Sequence, residues 1–184
     1  MLGRRGTAPL NSELGTHMFW IRSPFEKAAQ LGGFVLAHSA LILSELQPGE
    51  LICPFSIIQS GRRKQVFDYE AESQEEAVER GKADFDDLKD IAEIWAFARE
   101  GLFSGPDVEK TDVIVVSAWA PGMAEWLGII QKFNPPARGK FGLIGEAMIF
   151  VNGSEAQGKQ NRKLNVALSK GILDRNVDWD SWKN

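Results

Sequence analysis

The chain has 184 residues, of which 43% are hydrophobic, 25% are charged and 10% are aromatic. This ordinary globular composition excludes wholesale disorder, a collagen-like repeat and a disulfide scaffold, and the length predicts a single domain. The net charge of −4 argues against a generally basic surface, so we do not expect nucleic acid as a partner.

The first 18 residues predict a poorly ordered leader. Arg4 and Arg5 are not followed directly by an apolar segment, so the pattern is not that of a secretory signal. Cys53 is the single cysteine, which excludes an intramolecular disulfide and fits a cytoplasmic location. We expect a leader over residues 1–18, one domain over residues 19–153 and a C-terminal extension over residues 154–184.

A long helix is predicted to begin after Ser23, which can cap it together with Glu26. Residues 28–44 contain no Asp, Glu, Lys or Arg. This segment is shorter than the roughly 20 apolar residues that a membrane span needs, so it predicts a core helix and no membrane partner. The pair Gly32 and Gly33 predicts either a kink or a close crossing by another element.

Two strands and a second helix are predicted to follow. Residues 51–59 and 64–69 predict a hairpin, and Pro54 suggests that its first strand lies at a sheet edge or pairs late. The same apolar run contains Cys53, which we interpret as a small buried residue. Ser73 is predicted to cap a helix that extends to about Lys89.

Four more strands are predicted between residues 94 and 151. Residues 94–98 form a short apolar run that predicts a strand buried on both faces. Residues 112–119 and 125–133 predict a hairpin closed by a type II turn, in which Gly122 accepts the positive φ. In the last strand, residues 141–151, Gly145 suggests a β-bulge.

This order of elements predicts an α+β fold. Strands joined by tight turns indicate a mostly antiparallel sheet of about six strands, in the order α-β-β-α-β-β-β-β. The two helices are expected to pack on one face of that sheet. The extension is polar, with a short helical stretch over residues 164–170, and ends in a C-terminal arm.

Residues 68–100 form the most distinctive charge feature, with twelve Asp or Glu residues against four Lys or Arg residues. A cation site, a surface for a basic partner and a solvated helix face are the three interpretations. We favour the solvated face, because the acidic residues lack the spacing of a calcium loop, and we predict no metal site and no cofactor.

His38 and Glu45 are the best acid–base pair that the sequence offers. They lie seven residues apart on one stripe of the first helix, with Ser39 beside them. One interpretation is a pocket in which His38 exchanges protons near neutral pH; the other is a histidine satisfied by a structural partner. His17 belongs to the predicted leader, where mobility argues against catalysis.

Four tryptophans are further candidates for binding. Trp119 and Trp126 flank the predicted Pro-Gly turn, where they form either an aromatic binding edge or part of the core. Trp179 and Trp182 end the chain, and two exposed indoles would form an apolar patch that a monomer tends to avoid. The arm can dock on its own sheet or cross to a second subunit, and we slightly favour the homodimer.

The sequence contains no nucleophile–base motif, metal-ligand set or phosphate-binding loop that would identify a reaction. We therefore expect an accessory or binding module without catalytic activity, whose protein partner the sequence does not identify. The alternative is a small-ligand-binding protein or an enzyme with a pocket around His38 and Glu45. A deep pocket that contains both residues would favour this alternative.

Overall fold

A computed structural model of the chain describes residues 22–91, 93–105 and 108–183. Within these residues, a seven-stranded antiparallel sheet and three α-helices confirm the predicted α+β class. The predicted leader, residues 1–18, and His17 lie outside the described residues. Among the described helices, none is long and apolar enough to cross a membrane.

The helices are α1 (Pro24–Glu45), α2 (Gln74–Ile91) and α3 (Gly158–Arg175). The strands are β1 (Phe55–Ser60), β2 (Arg63–Asp68), β3 (Ile94–Gly105), β4 (Val108–Trp119), β5 (Leu127–Asn134), β6 (Gly142–Val151) and β7 (Ser154–Glu155). Their order in the sheet is β2-β1-β3-β4-β5-β6-β7, and each neighbouring pair is antiparallel. Strands that follow each other along the chain are therefore neighbours in the sheet. The exception is the pair β2 and β3, which α2 connects and which β1 separates in the sheet.

The start of α1 follows directly from its sequence. The Ser23 hydroxyl accepts the Glu26 N–H at 3.2 Å, while the Glu26 carboxylate accepts the Ser23 N–H at 3.0 Å. This capping box satisfies backbone groups that the first helical turn leaves without a partner. The middle of the helix is buried almost all round, as its uncharged sequence predicts.

The glycine pair in α1 marks a close crossing. A Cβ atom on Gly32 would lie 2.4 Å from the side chain of Ile129 in the sheet. A Cβ atom on Gly33 would lie 2.0 Å from the carbonyl oxygen of Leu168 in α3. The two glycines therefore let α1 approach the sheet on one side and α3 on the other, which confirms the crossing that the sequence suggested.

Two helices cover one face of the sheet, but the pair is α1 and α3. Gly32 of α1 packs beside Ala118, which pairs with Ala96 on the same face of the sheet. Gly81 of α2 packs against Phe97, the residue after Ala96, and successive side chains in a strand point to opposite faces. Helix α2 thus lies on the other face. Strand order along the chain does not specify which face a connecting helix crosses, so the predicted pairing of α1 with α2 was wrong.

The first hairpin begins later than predicted. β1 starts at Phe55, and Pro54 comes just before it, where its carbonyl accepts the Tyr69 N–H at 2.9 Å. β1 lies between β2 and β3, so the proline does not mark an edge strand. Ile52 is buried and Cys53 is exposed, because side chains alternate along this extended segment. The prediction of a buried Cys53 was therefore wrong.

The hairpin of β3 and β4 is longer than predicted. β3 continues to Gly105 and β4 begins at Val108, so each strand has 12 residues and extends beyond the predicted segments at residues 94–98 and 112–119. The buried run Trp95–Ala98 confirms that β3 is covered on both faces.

Gly122 has a φ of +95° at its predicted turn, and Gly145, with a φ of +64°, lies opposite a shift in the β5–β6 register. These two findings confirm the turn and the bulge.

The extension over residues 154–184 packs into the same core. Its helix α3 has 18 residues, much longer than the predicted stretch at residues 164–170. One stripe is buried against α1 and β6: Leu164, Ala167, Leu168, Gly171 and Ile172. After α3, the arm returns to the sheet, where Lys183 forms a parallel bridge with Leu143.

Candidate functional site

A cleft of about 670 Å³ lies beside the first turns of α1. We call it the α1 cleft. Its walls come from the start of α1, the end of β1, the start of β3 and the turn after β4. The described lining residues are Arg22, Lys27, Gln30, Leu31, Gln59, Glu93, Ile94 and Pro121.

Hydrogen bonds hold the amide side chains of the α1 cleft in place. The Gln30 side chain accepts a hydrogen bond from Arg22 and donates one to Asp174 of α3 at 2.6 Å. The Gln59 amide donates to the Gly61 carbonyl at 3.0 Å. Because these groups are already oriented, the cleft needs little rearrangement to accept a polar ligand.

The charge of the α1 cleft comes from side chains rather than from the helix terminus. The Ser23 hydroxyl already accepts the Glu26 N–H in the first turn of α1, and the Ser23 N–H donates to the Glu26 carboxylate, which lowers the pKa of Glu26. Among the described lining residues, Arg22 and Lys27 supply two cations against one carboxylate, Glu93, which accepts the Gly61 N–H at 2.6 Å; outside the lining, Asp174 accepts from Gln30 at 2.6 Å. The Lys27 ammonium is exposed and makes no ion pair within the described part of the chain. The cleft can therefore bind an anionic group.

His38 lies farther along the same side of α1 and makes structural contacts. The Arg175 Nε group of α3 donates to His38 Nδ1 at 3.2 Å, and the imidazole packs edge-on against Phe55, with 5.4 Å between ring centroids. Burial lowers the pKa of His38 below its ordinary value of 6.5; the Arg175 charge lowers it further, and Asp68 opposes both. His38 is thus a neutral acceptor that links the two helices.

The other two residues predicted around His38 do not form a pocket with it. Glu45 is exposed in the last turn of α1. Ser39 is buried, and its hydroxyl donates to the Val35 carbonyl of its own helix at 2.9 Å. Its hydrogen-bonding capacity is therefore used inside α1, away from any ligand.

The structure separates Trp119 from Trp126. Trp119 is buried, its indole N–H donates to the Met123 carbonyl at 2.9 Å, and its ring stacks on Trp95 at 6.3 Å. Trp126 lies at the other end of the turn and is 47% exposed. Trp119 belongs to the packing of the sheet, so of these two residues only Trp126 forms part of the molecular surface.

Trp179 and Trp182 dock on their own chain. Trp182 packs edge-on against Phe141 at 5.7 Å, and Trp179 packs edge-on against Trp182 at 6.3 Å. Both indoles are partly buried against the core. The premise for an interface through this arm was that the indoles would otherwise be exposed, and these contacts remove that premise.

A partly buried carboxyl, that of Glu100, was not among the predicted site residues. Glu100 of β3 accepts the Ile52 N–H at 2.6 Å. Burial raises the pKa of Glu100 above its ordinary value, the Ile52 hydrogen bond lowers it, and the nearby Asp112 raises it again. The hydrogen bond anchors the loop after α1 to the sheet, which is a structural role.

The residues of the α1 cleft were not predicted as a site, although part of the signal was visible. Lys27, Gln30 and His38 fall in the one polar arc of an otherwise apolar helix. That arc indicates a partly exposed side but does not show what lies opposite it. Gln59 and Glu93 come from distant parts of the sequence, and only the strand order brings them beside α1.

Comparison with known proteins gives no further guide to the site. No protein-family model matches the chain, and neither does any curated protein or solved structure. Within the described ranges, no three His, Cys, Asp or Glu side chains lie close enough together to hold a metal ion.

Proposed function

We propose that this protein is a binding module without catalytic activity, and that its ligand is an acidic small molecule or acidic side chain held in the α1 cleft. The observation that carries this proposal is the pair of cations, Arg22 and Lys27, beside oriented amides in a cleft of about 670 Å³. Hydrogen bonds from charged donors to carboxylate or phosphate oxygens are stronger than those between neutral groups.

The arrangement at His38 supports binding rather than catalysis. A general base needs a free nitrogen within reach of a substrate proton. His38 Nδ1 accepts a hydrogen bond from Arg175, and Glu45 is exposed at the end of the same helix. A cytoplasmic location and a homodimeric state also belong to this proposal; the single cysteine supports the former.

A titration with two anions tests the α1 cleft. Inorganic phosphate and citrate are added to the full chain at constant ionic strength, and binding is measured by calorimetry and by the shift in melting temperature. We expect Lys27→Glu to weaken binding roughly tenfold or more, because it replaces an attractive charge with a repulsive one. Lys140→Glu, in the exposed turn before β6, is the matched control and should bind like the unmodified chain.

Two results would contradict the proposed function. One is the absence of binding by either anion at millimolar concentration. The other is equal weakening by Lys27→Glu and Lys140→Glu, which would indicate general screening by surface charge rather than a site.

A further inference from the structure

The two edges of the sheet are unequal. At one edge, all six residues of β2 are exposed. At the other edge, β7 has only two residues, and Lys183 of the C-terminal arm bridges to Leu143 in β6. A long exposed edge presents free N–H and C=O groups to which another strand can add. β2 is therefore the edge from which the sheet can grow.

The hydrogen bonds of the hairpin fix which groups of β2 point outward. Tyr69 donates its N–H inward to Pro54 at 2.9 Å, in register with the β1–β2 ladder. In an antiparallel ladder, alternate residues bond to the same neighbour. Arg63, Gln65 and Phe67 therefore bond inward to β1. The backbone groups of the intervening residues face the open edge: Lys64, Val66 and Asp68.

We propose that β2 pairs antiparallel with β2 of a second copy, with Val66 on the twofold axis. In this register Val66 lies opposite Val66 of the second copy, and Lys64 lies opposite Asp68 of the second copy. The outward backbone groups match, so each of these three pairs can exchange two hydrogen bonds. The two sheets then form one continuous sheet. The face covered by α1 and α3 lies on the same side of it in both subunits.

Charge complementarity favours a second copy as the partner, in this register. Lys64 and Asp68 lie on the same face of β2, two positions on either side of Val66. An antiparallel copy can therefore form the same ion pair twice, once each Lys64 ammonium turns from the Phe34 ring of its own chain, whose centroid is 4.6 Å away, toward the second copy. A shift of two residues in either direction places Val66 opposite Lys64 or Asp68, and the ion pair that remains uses a residue outside β2, either Asp68 with Arg62 or Lys64 with Glu70. A lysine on an edge strand ordinarily discourages pairing; here a carboxylate on the second copy meets it.

This inference rests on the homodimer in the proposed function, and it identifies the surface that forms it. It is independent of the α1 cleft, because the anion titration does not depend on oligomeric state. A monomeric chain would contradict the homodimer itself. A dimer that does not respond to changes in β2 would contradict only this interface.

The test uses two charge reversals, Lys64→Glu and Asp68→Lys, in the full chain. Each variant alone places like charges opposite each other, so we expect dimerisation to weaken roughly tenfold or more. When the two variants are mixed, each end of the paired strands again has one carboxylate opposite one ammonium group, so a heterodimer should form. Sedimentation equilibrium measures the mass, and a difference in affinity tags identifies the heterodimer. Lys140→Glu is the control and should dimerise normally.

Val66→Pro gives a second, independent variant. The Val66 N–H points outward, so proline removes an intermolecular donor and leaves the β1–β2 ladder intact. We expect a folded monomer, with folding checked by circular dichroism. The proposal is overturned if the unmodified chain stays monomeric at about 100 µM, if the charge reversals leave the dimer unchanged, or if the mixture fails to form the heterodimer.

Discussion

The two helical layers of this protein approach their neighbours in different ways. In the layer of α1 and α3, backbone meets backbone: a Cβ atom on Gly171 would lie 1.8 Å from the Gln30 carbonyl oxygen, and one on Gly33 would lie 2.0 Å from that of Leu168. In the α2 layer, backbone meets side chain: a Cβ atom on Gly81 would lie 2.3 Å from the ring of Phe97.

This difference determines how each layer responds to change. A carbonyl group inside a helix cannot move without breaking the helix, whereas an aromatic ring can rotate or shift. The α1–α3 layer is therefore the fixed part of the molecule, and it positions both the α1 cleft and His38. The α2 layer has its ion pairs on the exposed side, such as Arg80 with Glu76, and these stabilise little.

The largest expected effect is at the helix crossing. Gly33→Ala and Gly171→Ala each place a methyl group against a carbonyl oxygen, so the helices must separate. We expect each substitution to lower the free energy of unfolding by about 3 kcal/mol, measured by denaturant titration. Gly128→Ala in β5 is the control, since its Cβ atom meets only Phe150 at an ordinary 3.5 Å. Equal effects at all three glycines would refute the special role of the crossing.

The second effect concerns the arm that closes the α1–α3 side of the sheet. Deletion of residues 177–184 uncovers Phe141 and removes the contacts of Trp179 and Trp182. We expect the free energy of unfolding to fall by about 2 kcal/mol, because two partly buried indoles are lost. The oligomeric state, measured by light scattering, should not change. Dissociation on deletion would instead restore the arm as the subunit interface.

The same comparison explains which helices could be predicted from sequence. The uncharged run in α1 predicts a buried helix, and Ser23 with Glu26 predicts where it begins, as observed. α3 is polar on most of its surface, so its composition suggested a peripheral extension. Its core contact depends on the spacing Leu164, Leu168 and Ile172, together with one glycine. That pattern was present in the sequence, but it does not identify α1 as the partner.

Gly81 in the α2 layer provides the intermediate effect. Gly81→Ala forces the Phe97 ring to shift but adds a residue that favours the helix. We expect the free energy of unfolding to fall by about 1 kcal/mol, clearly less than for Gly33→Ala in the same denaturant assay. A cost as large as that of Gly33→Ala would show that the two layers are equally rigid.

The α1 cleft could not be predicted from local sequence, because its walls meet only through the strand order. Gln59 lies near the end of β1 and Glu93 precedes β3, and these two strands are neighbours in the sheet although β2 and α2 separate them along the chain. The hydrogen-bond partner of His38 could not be predicted from local sequence either. Its spacing from Glu45 placed both on one stripe of α1, yet its partner Arg175 lies 137 residues away in α3.

The smallest effect is a pH dependence at the seam between α1 and α3. Because burial and Arg175 lower the pKa of His38, the unfolded chain binds a proton there more readily than the folded chain does. The stabilising contribution is complete above the unfolded pKa of about 6.5 and is lost as pH falls below it.

We expect His38→Asn, whose side-chain oxygen can still accept from Arg175, to reduce the loss of unfolding free energy between pH 7.5 and pH 5.5. The same substitution at His17 is the comparison variant. A steeper loss in His38→Asn than in the unmodified chain would mean that folding raises the pKa of His38, and Arg175 could then not be its hydrogen-bond donor.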